Sequence, residues 1–191
     1  MSNPKAQEAP LTIDESTMQQ KPRRFRRLAV LAMAASLLAG AARAENVAIP
    51  SDARPMTALE LYTLYRDKSW QWENGAGLMR EADRQFSAWV RGEKWNSWAE
   101  GRWAITDTGL LCLKATWHTQ EGSAPIKSCF SHRIAAGTIY QKREPDGQWY
   151  VFRHAIPQKG DEASKLVAAD LVSQQRDAIQ AALGVAPSTE Q

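Results

Sequence analysis

Cysteine is scarce in this chain of 191 residues, which has only Cys112 and Cys129. Sixteen residues separate them, a spacing that excludes the Cys-x-x-Cys pair of a thiol-exchange catalyst and offers nothing to a cysteine-rich zinc site. Histidine is equally sparse. His118, His132 and His154 lie far apart, with no i, i+4 pair, so no metal site is expected. No apolar run reaches the roughly 20 residues that span a bilayer. The chain also lacks a Gly-x-Ser-x-Gly elbow, a phosphate-cradling glycine loop and a dinucleotide fingerprint. No cofactor and no catalytic residue is therefore assigned.

What is present begins with a leader. Arg23, Arg24, Arg26 and Arg27 precede an apolar stretch, Leu28 to Gly40, closed by Ala42-Arg43-Ala44. A charged segment, a short apolar segment and a small-x-small site together read as a secretory signal peptide over residues 1–44, cleaved after Ala44. Met18 offers an alternative start that would shorten the long polar front. Arg26-Arg27 faintly suggests twin-arginine export, but its neighbours fit that pattern poorly. No Cys near Ala44 could carry a lipid, so no stable membrane anchor is expected, and the location predicted is periplasmic or secreted.

Removing the leader reverses the electrostatic reading. Seven of the 24 Lys+Arg and three of the 21 Asp+Glu lie within it, which leaves one more acid than base. The basic character belongs to the targeting segment, and no nucleic-acid footprint remains. Residues 45–56 read as a linker. The rest is long enough for one domain with one core.

Thr57 followed by Glu60 has capping-box spacing, and Leu61, Leu64 and Tyr65 recur on one face, which predicts a short helix over 57–66. From Lys68 the period becomes two, with turn residues every eight to twelve positions. The hairpins so defined give eight strands near 68–73, 76–81, 84–91, 97–106, 109–118, 126–134, 137–144 and 148–155. A final amphipathic helix is expected over about 162–183, ended by Gly184 and Pro187, with a disordered tail from 186.

Cys112 and Cys129 fall on neighbouring strands, and pairing them sets a register. Leu111 then faces Phe130 and Ala115 faces Ile126, while Lys114, Thr116, Lys127, Ser131 and Arg133 share the side of the cysteines. The preceding hairpin brings Trp103 to Leu113 and Ile105 to Leu111 on the same apolar side. Two turns thus agree on the core face. In an oxidising compartment the two cysteines are expected to form a structural disulfide.

All eight tryptophans lie beyond the leader. Trp103 and Trp117 fall on the predicted core face. Trp89 and Trp98 meet across a hairpin on the other face, beside Arg91 and Arg102, with Trp95 in the loop. Exposed aromatics among polar groups can stack on sugars or anchor a protein, so Trp89, Trp95, Trp98, Arg91 and Arg102 are the candidate ligand-binding residues. The competing reading is that the terminal helix covers them. Glu73 and Glu100, each near a tryptophan, could form a hydrolase pair, although no local motif supports it.

Trp70-Gln71-Trp72 with Gly75 and Gly77, Ala99-Glu100-Gly101-Arg102-Trp103, Gly109-Leu110-Leu111-Cys112 and Cys129-Phe130 resemble the DUF995 family of secreted alphaproteobacterial, rhizobial proteins over roughly Met56 to Phe152. The resemblance implies an envelope setting and carries over no catalytic residue.

The expected fold is mainly β, an eight-stranded antiparallel meander curled into a lipocalin-like barrel, with a short helix before it and a helix packed after it. The small facing residues Ala88, Ala99, Gly101, Ala115 and Ser128 leave its interior either hollow or filled by Phe86, Trp103, Leu111 and Phe130. The expected function is non-enzymatic binding of a glycan or small apolar ligand in cell-envelope or exopolysaccharide homeostasis. The alternatives are an interaction module docking an envelope protein through exposed aromatics, and a glycan-active hydrolase. Protein recovered from its native periplasm should have the mass of residues 45–191 less two hydrogens. Native mass spectrometry checks this, and a mass retaining the leader would contradict it.

Overall fold

The structure is a computed structural model that describes residues 47–94 and 96–184. The leader and Trp95 lie outside them. The chain begins with β1 (Arg54–Pro55) and α1 (Ala58–Tyr65), then runs through β2 (Lys68–Trp72), β3 (Gly75–Met79), β4 (Gln85–Arg91) and β5 (Asn96–Ile105). It continues with β6 (Leu110–Thr119), β7 (Gly122–Ala135), β8 (Thr138–Arg143) and β9 (Tyr150–Arg153), and ends in β10 (Leu166–Val167) and α2 (Ser173–Ala182). The eight strands read from the turn spacing are β2 to β9.

Each of these strands pairs antiparallel with the next in sequence, and β10 adds to the free edge of β2. β1 lies against the end of β7, with Arg54 opposite Ile134 and Pro55 opposite Arg133. The sheet curls into a half-barrel. Hydrogen-bonded closure of the lipocalin kind does not occur among the described residues, since the edge strands β9 and β10 are not paired with each other. They are short, four and two residues. A 3₁₀ turn, Glu162–Lys165, contacts both β9 and β2 instead, and Trp70 Nε1 donates to Glu162 Oε1 at 3.0 Å across that side.

The register matches the expectation residue for residue. Cys112 lies opposite Cys129, Leu111 opposite Phe130, Ala115 opposite Ile126, Trp103 opposite Leu113 and Ile105 opposite Leu111. The disulfide forms across β6 and β7. Because side chains alternate between faces with period two, this register sends Trp103, Leu111 and Phe130 to the concave side and the cysteines to the convex side.

Helix α1 fills the concavity. Thr57 caps it, its Oγ1 accepting from Glu60 N at 3.2 Å while Thr57 N donates to Glu60 Oε2 at 2.8 Å. Asp107 in the β5–β6 turn accepts from Ala58 N at 2.9 Å and ties the helix start to the sheet. Leu61, Leu64 and Tyr65 then pack with Trp70, Trp103, Leu111, Phe130 and Phe152 over Ala88, Ala99 and Ala115. The interior is therefore packed with side chains of α1. At Gly101 the neighbouring strand comes so close that a Cβ would run into the Lys114 carbonyl, so only glycine fits between β5 and β6 there.

The C-terminal segment departs from the expected single helix over 162–183. Leu166 and Val167 pair with Trp70 and Ser69 as β10, and Asp170 interrupts the helical pattern by accepting from the backbone of Val172 and Ser173, both at 2.9 Å. Backbone groups that a continuous helix would use internally are taken by the sheet edge and by an Asp turn, so α2 begins only at Ser173. Val172 and Ile179 are nevertheless buried, as the pattern predicts.

The disulfide closes a loop of 17 residues' separation, worth about 3 kcal/mol in the chain-entropy treatment. Replacing both cysteines by serine should lower unfolding stability by about that amount, read from urea midpoints. An unchanged midpoint would contradict the assigned role.

Candidate functional site

Trp89 and Trp98 lie directly opposite each other on β4 and β5. The exposed stacking face expected there is corrected by their burial. Trp98 is 2% exposed, and half-buried Trp89 donates from Nε1 to the Leu171 carbonyl at 2.8 Å. The cause is the C-terminal segment, which lays Leu171 and Val172 over Ala76, Leu78 and Trp89 and packs α2 against β4 and β5. Arg91 stays exposed, its guanidinium 5.9 Å from the Trp89 ring. Arg102 sits at the other end of the same hairpin, opposite Gln85, and donates to the Asp83 carbonyl. The structure therefore brings Arg91 to Trp89 and does not bring Arg102 to either; Trp95 is outside the described residues.

A polar cleft of about 470 Å³ opens beside this covered face. Its walls are His118, Thr119, Gln120, Gly122 and Ser123, at and beside the β6–β7 turn, and Ala182-Leu183 at the end of α2. Among the described residues no lysine, arginine or carboxylate lines it. His118 pairs in register with Trp98, and their rings stack 4.0 Å apart at 12°. Burial lowers the His118 pKa, which favours the neutral ring. Its Nε2 is buried without a hydrogen-bond partner, as are Trp98 Nε1 and both amide atoms of Gln180, which is 1% exposed. Buried polar atoms are nearly always paired. Four unpaired ones on the cleft wall, on its stacking neighbour and on α2 two residues before the wall make this the least satisfied polar region among the described residues.

The concave side holds a second polar group, and there every partner is supplied. His132 Nδ1 contacts the Gly109 carbonyl at 3.2 Å. A carbonyl can only accept, so Nδ1 carries the proton and Nε2 accepts. Tyr65 OH donates to that Nε2 at 2.7 Å and itself receives from Gln141 Nε2 at 2.8 Å; Tyr150 OH donates to Gln141 Oε1. Gln141 Nε2 also lies 2.7 Å from His132 Nε2, so the amide and the Tyr65 hydroxyl share that acceptor, and the bonds tie α1 to β7, β8 and β9. Burial pushes the His132 pKa down to about 4 and raises those of Tyr65 and Tyr150. A neutral imidazole with both nitrogens engaged is a structural joint with no free base to offer.

The chain matches the family model described as a protein of unknown function (DUF995) over residues 29–172. It belongs to this family. No curated protein and no solved structure matches it. The DUF995 match takes in β1 to β10, including the disulfide and the Tyr65–His132–Gln141 joint, and stops one residue before α2. No helix among the described residues is long and apolar enough to cross a membrane.

The pairing of β6 with β7 places His118 and His132 on opposite faces of the sheet. Sequence reasoning passed over His118 and the β6–β7 turn as cleft residues. The available signal was the register itself, which sets His118 beside Trp98.

His132 must lose its proton on folding, since its folded pKa of about 4 lies below the usual value of about 6.5. The unfolded chain therefore binds more protons between those two values, and this contribution to stability, complete above the higher one, is lost as pH falls through the window. Denaturation at pH 7.5 and 4.5 should differ by about 2 to 3 kcal/mol more in the wild type than in His132→Gln. Equal pH dependence in the two would contradict the burial of a neutral ring.

Proposed function

We propose that this DUF995 protein is a non-enzymatic, exported protein that binds a neutral glycan at the His118 cleft, in support of cell-envelope or exopolysaccharide homeostasis. The observation that carries the reading is the open, hydroxyl- and amide-lined cleft, with no charged lining group among the described residues and with a buried imidazole nitrogen that has no partner among them. Its volume falls in the range of small-ligand sites, about 300 to 1,000 Å³. Sugar hydroxyls both donate and accept, which suits Thr119, Gln120, Ser123 and the backbone of a tight turn. A small apolar ligand is less well matched, because the barrel interior that would take it is packed by α1.

Export is supported by the leader read at residues 1–44 and by the disulfide, which persists in oxidising compartments. In this reading Trp98 is the wall behind His118 rather than an exposed platform, and Trp89, held by Leu171, keeps the C-terminal segment in place. Arg91 lies on the rim of that covered face.

Trp98 stacks on a cleft residue, so occupancy should change its emission. Titration with neutral envelope oligosaccharides should give a saturable change in tryptophan fluorescence, and Ala182→Phe, which fills the cleft from the exposed end of α2, should abolish it while leaving thermal unfolding unchanged. A flat titration, or an undiminished response in Ala182→Phe, would overturn the assignment.

A further inference from the structure

At the opposite end of the half-barrel, the β3–β4 turn carries two consecutive non-glycine residues in the left-handed region, Asp83 at φ 49° and Arg84 at φ 53°. Asp67, at φ 52° in the α1–β2 turn, stands beside them, its Oδ1 accepting from Glu81 N at 2.8 Å. Three of the four non-glycine residues with positive φ among those described are thus gathered at one rim. Side chains disfavour this backbone, and a turn needing only to reverse direction would use Gly or Asn. Such strain persists where neighbours over-determine it. They do so here: Trp103 Nε1 donates to the Arg80 carbonyl at 2.7 Å, Arg102 donates to the Asp83 carbonyl, and Arg80 N donates to the Gln85 carbonyl at 2.9 Å.

The result is the position of one side chain. The Arg84 guanidinium carbon lies 4.6 Å from the Tyr62 ring centre and 4.4 Å from that of Trp103, and the two rings are stacked 6.1 Å apart. Nη1 is buried and has no hydrogen-bond partner, while the residue as a whole is only half-buried. No ion pair reaches Arg84 among the described residues, although three carboxylates stand at this rim: Glu81 accepts from Tyr62 OH and pairs with Arg66 at 3.8 Å, Asp67 accepts from Glu81 N, and Asp83 is the preceding residue. Arg66 lies on the same Tyr62 ring at 5.2 Å. A planar cation held against two aromatic rings by a strained turn, with no counter-ion among the described residues, costs stability in two ways and gains rigidity and unspent donors.

We propose that Arg84 is the anchor of an oxyanion site at this rim, taking a carboxylate or phosphate group with Arg66 beside it. The guanidinium fork matches the two oxygens of such a group, and its immobility removes the ordering cost of capture. The site lies at the end of the sheet away from the His118 cleft and does not depend on the reading given to that cleft.

The test is NMR of the full chain with ¹⁵N-labelled arginine, titrated with inorganic phosphate, with galacturonate oligomers and with sodium chloride at matched ionic strength. The Arg84 side-chain and Trp103 indole signals should shift saturably with one or both oxyanions and not with chloride. Response to galacturonate alone would identify an acidic saccharide as the source, and response to phosphate alone a phosphate group. Arg84→Gln and Arg84→Lys should each weaken binding at least tenfold, the lysine because it keeps the charge but loses the planar fork, and thermal unfolding of each shows that it is folded. Shifts equal to those in chloride, or binding retained by Arg84→Lys, would overturn the proposal. The wild-type titration stands by itself if a variant does not fold.

Discussion

The register of β5, β6 and β7 is the constraint on which the rest of this structure depends. Cys112 and Cys129 sit directly opposite each other, and the bond between them prevents the slip of one residue that would turn every side chain of the hairpin to the other face. With that register held, Trp103, Leu111, Phe130 and His132 face α1, and Trp98, His118 and the cysteines face outward. The core and the outer cleft are two sides of one alignment.

The concave side is finished by a few directional contacts laid over apolar packing. Asp107 receives the first amide of α1, Tyr65 carries the helix's hydroxyl to His132, and Gln141 and Tyr150 extend the chain across β8 and β9. A fully satisfied buried network gives the helix one seat and leaves little freedom. The open edge is bridged by Glu162, which holds Trp70. The binding roles we propose fall at the two ends of the sheet, where turns meet unsatisfied or strained groups.

Much of this architecture was legible from residue order. Alternation with period two, punctuated by Asn74-Gly75, Asp107-Thr108-Gly109 and Pro145-Asp146-Gly147, marked the strands, and the matching of Leu111 with Phe130 and Trp103 with Leu113 marked the core face. Thr57 and Glu60 marked the first helix. The last segment misled because Leu166, Val172 and Ile179 keep a helical spacing across a region whose backbone is claimed by β2 and by Asp170; local pattern could not see that competition. The meeting of Tyr65 with Gln141, 76 positions apart, has no local signal either. Nor has the left-handed Arg84, which no turn preference would place there. The cover over Trp98 was a stated alternative, and its weight was decided by how α2 packs, which is a tertiary matter.

The central claim is that ligand recognition belongs to the outer cleft and that the barrel interior is a sealed joint. The most direct measurement is a map of imidazole NMR signals from His118 and His132 as neutral envelope oligosaccharides are added. The account predicts that His118 shifts saturably while His132 stays still. Movement of His132, or of neither ring, would contradict it.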